Sequence, residues 1–150
     1  RLLGDMRAYN FVVEITQDFD NIQYRLIAMD FDQQSFEGRM NIYRPQFYKD
    51  NIELVKLVQE VMSIEMATQY QRIERVAMKK RFFASKRRTR SLLRIMKKDI
   101  VSTKKNVEIL KSELAVFHKN NSFLELKTMG DLLNKHLEIS LKIEILSKAT

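Results

Sequence analysis

Two short apolar runs near the amino terminus constrain the fold more than anything else in the chain. Phe11 to Ile15 (FVVEI) is rich in β-branched and aromatic residues, and Tyr24 to Met29 (YRLIAM) is an apolar-leaning run of strand length. Between them lies TQDFDNIQ, in which Asp18, Asp20 and Asn21 supply turn chemistry. The pattern predicts an antiparallel hairpin with Thr16 opposite Gln23. In that register Asn10, at the mouth of the first strand, lies beside Met29, one residue short of Asp30. Asp5 stands just upstream, in the entering loop. The hairpin is therefore expected to gather Asp5, Asn10 and Asp30 at one end.

Two carboxylates and an amide oxygen suit a hard cation. Mg²⁺ takes one or two carboxylates together with waters and substrate phosphates. The same residues match a known pattern. Asp5 and Asn10 have the D-x-x-x-x-N spacing of a kinase catalytic loop, and Asp30-Phe31-Asp32 stands where that fold has its D-F-G. The sequence resembles the C-terminal, catalytic lobe of the protein-kinase-like superfamily. It looks more like the aminoglycoside-phosphotransferase and HipA-type branches than a eukaryotic protein kinase. Leu3 stands where His usually precedes Gly4-Asp5, and the interval from Asn10 to Asp30 is longer than in typical protein kinases. The resemblance implies an ATP- and Mg²⁺-dependent phosphotransferase with a nucleotide partner and a phosphate acceptor of open identity. By it, Asp5 is the catalytic base, Asn10 and Asp30 bind the metal-nucleotide cofactor, and Asp32 is a further metal residue.

On the residues alone, two other readings stand beside this one: a structural hairpin with solvated carboxylates, and a different metal or binding site. A calcium loop of the EF-hand kind fails on spacing. Begun at Asp18, it would place Ile22 and Gln23 where an oxygen ligand and Gly are needed; begun at Asp30, it would put Asn41 in place of the bidentate Glu.

A length of 150 residues suits a single domain, and 45% hydrophobic residues suffice for an ordinary core. The absence of cysteine excludes disulfides and thiolate metal sites and is compatible with a reducing, cytoplasmic setting. No apolar run reaches the length of a membrane span, and no signal peptide opens the chain. The opening Arg1-Leu2-Leu3 reads as a strand or loop already under way, which leads us to expect a fragment. Residues 1–50 would hold the catalytic-loop hairpin and a substrate-segment-like region, and residues 51–150 a helical subdomain. The glycines, Gly4, Gly38 and Gly130, form no phosphate-covering loop. The resemblance then implies that an N-terminal lobe carries that loop and its Lys, and that this piece does not catalyse alone.

The segment Gln33 to Asn51 carries the only proline, Pro45, with Phe36, Tyr43, Phe47 and Tyr48, and is the least periodic part of the chain. It reads as a connecting loop pinned by aromatics or, by the resemblance, as an activation or substrate-binding segment in which Arg39 and Arg44 could pair with phosphate or with the acidic cluster. Gln33 and Gln34 are placed only near the site. Helical period follows. Asn51 is expected to cap Ile52 to Met62, whose apolar face is Leu54, Val55, Val58, Val61 and Met62. Ser63 caps a second helix with Met66, Tyr70, Ile73 and Ala77 in step. Ser102 or Thr103 opens another, with Val107, Leu110, Leu114 and Phe117 on one stripe, ending at Asn120-Asn121. Thr128 and Asp131 make a capping box for a last helix with Leu132, Leu133, Leu137, Leu141 and Ile145 inward. The expected fold is α+β, mostly α: one hairpin followed by a bundle of four or five helices.

Half of the residues from Lys79 to Lys98 are Lys or Arg, against a net charge of +8 for the whole chain. Charge this dense favours phosphate-rich polyanions. The readings are a solvated face with local Glu partners, a surface for nucleic acid or an acidic protein, and a membrane-surface helix with Leu92, Leu93, Ile95 and Met96 as its apolar side. Ser85 to Ser91 carry no apolar side chain, so a helix there is expected to leave the core or project into solvent. His118 and His136 lack metal-ligand spacing and read as surface or half-buried structural residues. No Gly-x-Ser-x-Gly elbow and no Walker-type loop occurs.

Overall fold

The computed structural model describes residues 2–146. Its hairpin pairs β1 (Phe11–Asp18) with β2 (Asn21–Ala28) in the expected register, Thr16 opposite Gln23 and Phe11 opposite Ala28. The strands are longer than their apolar runs. Most of the polar segment continues the ladder, so that only Phe19 and Asp20 form the turn, and Phe19 adopts a left-handed φ of 49°. Every residue from Val12 to Leu26 is exposed, so the hairpin stands clear of the core on both faces.

Three single 3₁₀ turns, Met40–Tyr43, Pro45–Phe47 and Lys49–Asn51, follow. Aromatics pin them as expected. The Tyr43 hydroxyl donates to the Glu37 carbonyl at 2.7 Å, and that of Tyr48 to the Ile42 carbonyl at 2.8 Å. Arg44 lies over the Phe117 ring, 5.5 Å from its centre.

Five helices come next among the described residues: α1 (Ile52–Val61), α2 (Ile64–Ala84), α3 (Lys86–Lys98), α4 (Lys104–His118) and α5 (Met129–Leu141). Side-chain oxygens of Ser63, Thr103 and Thr128 accept the Met66, Asn106 and Asp131 amides, so three of the expected caps form. The fourth does not. Asn51 makes no capping bond, because its amide is committed elsewhere.

The core is built from the carboxy-terminal half. Leu93, Leu110, Leu114, Phe123, Leu132 and Ile145 are buried. α3 and α5 meet backbone to backbone at Gly130, where an added Cβ would lie 2.4 Å from the Met96 carbonyl carbon. Only glycine permits that approach. The salt bridge between Lys97 and Asp131, at 3.1 Å, spans the same pair of helices.

Two expectations are corrected. The apolar faces drawn for α1 and the first half of α2 are not core: Leu54, Val58, Val61, Met66, Tyr70 and Ile73 are all exposed, and the chain turns inward only from Met78 and Phe82. Ser85 to Arg88 project into solvent as expected, and α3 returns to the core at Leu93. Of the two histidines, His118 is half-buried as expected, whereas His136 lies in the core. His118 at the end of α4 and His136 on α5 meet with Nε2 and Nδ1 2.9 Å apart, His136 is buried, and the His118 ring stacks on Phe123. Burial pushes the pKa of both histidines down, that of His136 to about 3.

Candidate functional site

The loop ahead of β1 and the exit from β2 are held side by side at two points. At the hairpin mouth the Met29 amide donates to the Asn10 carbonyl at 2.9 Å, one step beyond the ladder. At the far side Gly4 lies against Gln33 so closely that an added Cβ would be 2.5 Å from the Gln33 Cβ and 2.6 Å from its carbonyl oxygen. The Ser35 amide then donates to the Leu2 carbonyl at 2.9 Å. Asp5 lies on one of these paired segments and Asp30 and Asp32 on the other.

Asp5 and Asn10 meet directly. The Asn10 amide nitrogen donates to the Asp5 carboxylate oxygen Oδ2 and to the Asp5 backbone carbonyl, each at 2.9 Å. The other carboxylate oxygen forms an ion pair with Arg7 Nε at 3.2 Å. The Arg7 guanidinium also lies over the rings of Tyr9 and Tyr48. Its bond to Tyr9, and then the charge of Asp5, push the Arg7 pKa further up, while burial and then Asp5 raise that of Tyr48. The Asp5 carboxylate is thereby fixed from both sides.

Asp30 follows Met29 directly, yet its own oxygen Oδ1 accepts the Asp32 amide at 3.0 Å in a local turn. Its carboxylate makes no hydrogen bond to Asp5 or Asn10. Asp32 is exposed. The structure thus joins Asp5 to Asn10 and places Asp30 in the neighbouring segment.

Backbone strain is concentrated here. Leu2, Asp5 and Ser35 have left-handed φ values of 49°, 47° and 56°. Each such non-glycine residue costs about 1 kcal/mol or more. Ser35 is also fully buried, and its hydroxyl has no hydrogen-bond partner among the described residues.

Asn51 is the supporting residue that sequence reasoning missed. It is 2% exposed, its Oδ1 accepts the Ala8 amide at 2.9 Å, and its Nδ2 donates to the carbonyls of Met6 at 2.6 Å and Pro45 at 2.8 Å. One side chain therefore ties the loop between Asp5 and Asn10 to the start of the helical layer. Nothing in the local sequence around Asn51 signals this, whereas Arg7 could have been found as a cation two residues from the candidate base.

The donor chemistry fits a hard divalent cation. Because the Asn10 nitrogen faces Asp5, its Oδ1 is left for a ligand, and Asp30 offers its second carboxylate oxygen. Among the described residues no group of three His, Cys, Asp or Glu side chains is arranged to hold a metal, so waters and phosphates would have to complete the coordination. None of the family models, curated proteins or solved structures compared with the chain matches it. No helix among the described residues is long and apolar enough to cross a membrane.

Proposed function

We propose that the chain is the catalytic-lobe portion of an ATP- and Mg²⁺-dependent phosphotransferase of the kinase-like type. The observation that carries the reading is the bond from Asn10 Nδ2 to Asp5 Oδ2, made while the Asn10 carbonyl receives the Met29 amide one residue from Asp30. That arrangement is what a D-x-x-x-x-N loop needs if its Asp is to face an acceptor hydroxyl and its Asn a metal.

In this reading Asp5 orients the acceptor hydroxyl and takes its proton as the acceptor oxygen bonds to the γ-phosphorus and the γ-phosphorus bond to the leaving ADP oxygen breaks. Arg7 and Asn10 hold the carboxylate in place, which removes the need to reorganise it during transfer. Asn10 Oδ1 and the Asp30 carboxylate would hold the cation, which would supply positive charge against that building on the transferred phosphate. The strained backbone and the buried Asn51 tie preset the loop before any substrate arrives.

The test is Asp30→Asn in the full-length protein. It should abolish binding of Mg²⁺-ATP, followed by calorimetry, while the melting temperature stays within a few degrees. Unchanged binding would refute the assignment, and a matching collapse of the fold would make Asp30 a structural residue.

A further inference from the structure

The segment from Arg75 to Lys98 contains no acidic residue. Of its cations, only Lys97 has a carboxylate within ion-pair distance among the described residues, and that partner, Asp131, comes from α5 rather than from a local Glu. Four of the ten remaining cations line one concavity. α2 stops at Ala84, Ser85 breaks the helical path at φ −113° and ψ 17°, and α3 starts at Lys86. The bend sends Phe82 into the core and leaves Phe83 outside. Phe83, Ala84, Lys86, Arg87, Arg90 and Arg94 line the resulting hollow of about 550 Å³. Arg90 is held in it by a 2.7 Å bond from its Nε to the Ile145 carbonyl.

We propose that this elbow binds the phosphodiester backbone of a single-stranded nucleic acid. Four cations in one hollow, with no carboxylate in ion-pair distance among the described residues, create a local potential that a polyanion relieves, releasing its own condensed ions. On α3, Arg87, Ser91, Arg94 and Lys98 recur at helical steps and extend the charge outward from the hollow as a row roughly 16 Å long. Phe83, exposed at its edge, offers one base a stacking surface.

A membrane surface fits less well. An inserting helix needs a broad apolar face, but Leu93 is buried and Met96 half-buried in the core. Only Leu92 and Ile95 remain exposed, and Arg88 falls in their row. The proposal does not depend on the phosphotransfer reading.

Fluorescence anisotropy of a labelled single-stranded RNA, titrated with the protein across a salt series, tests it. Four released ions predict a slope of log affinity on log salt of about −3. Arg87→Glu with Arg94→Glu should weaken binding roughly tenfold or more without moving the melting temperature. Phe83→Ala should cost about fivefold or more and leave the slope unchanged. The same charge change at Lys104→Glu with Lys105→Glu, on another face, should cost less than about twofold. A flat salt response, an equal loss in the Lys104/Lys105 variant, or tighter binding to phosphatidylserine vesicles than to RNA would overturn the proposal.

Discussion

Asn51 Oδ1 receives the amide of Ala8 at 2.9 Å, a bond that reaches across 43 residues from the head of the helical layer into the loop between Asp5 and Asn10. Replacing Asn51 with Ala removes three partly buried hydrogen bonds, to the Ala8 amide and to the Met6 and Pro45 carbonyls. A loss of about 3 kcal/mol in urea unfolding is expected. Asn51→Asp keeps the acceptor for Ala8 but sets a buried carboxylate oxygen against the two carbonyls, so its loss should be at least as large. An Ala variant as stable as the native chain would mean that water replaces the whole tie.

The hairpin was legible because its evidence is local. The two apolar runs and the turn residues between them set the register, and the register alone carries Asn10 to Met29. The caps by Ser63, Thr103 and Thr128 were legible for the same reason, since each oxygen reaches an amide three residues ahead. Burial was not. Leu54 and Val58, like Met66 and Tyr70, keep the same four-residue spacing as Leu110 and Leu114, yet only the last pair is buried. Spacing reports which residues share a face, not whether anything covers that face. The Asn51 tie and the meeting of His118 with His136 depend on segments far apart in sequence, where no local pattern exists.

Gly4 is a second constraint on the site. An added Cβ would meet both the Cβ and the carbonyl oxygen of Gln33. Gly4→Ala should therefore destabilise the chain by about 2 kcal/mol or more and weaken nucleotide binding in proportion to the displaced loop. Adding Gln33→Gly removes one of the two clashes, so partial recovery is expected. Full stability in Gly4→Ala would show that the two segments separate freely.

The histidine pair makes stability depend on pH with a defined sign. Both pKa values are lowered on folding by burial, that of His136 to about 3 from an unfolded value near 6.5. Above pH 6.5 both states are neutral there, and stability is unaffected. As pH falls below 6.5 the unfolded chain takes up protons that the folded chain refuses, so stability drops by up to about 1.4 kcal/mol per pH unit for His136, with a smaller part from the half-buried His118. Urea unfolding between pH 7 and pH 5 should show this decline, and His136→Phe should flatten it. An equal decline in the variant would place the titrating groups elsewhere.

Phosphotransfer as proposed requires that Asn10 and Asp30 hold one cation beside Asp5. Paramagnetic broadening by Mn²⁺ in amide nitrogen–proton spectra reads this residue by residue. Signals of residues 4–11 and 28–34 should broaden together at low Mn²⁺, in a way that Mg²⁺ reverses and Asp30→Asn removes. Broadening confined to Asp18 and Asp20 at the hairpin tip, or spread evenly over the acidic surface, would contradict it.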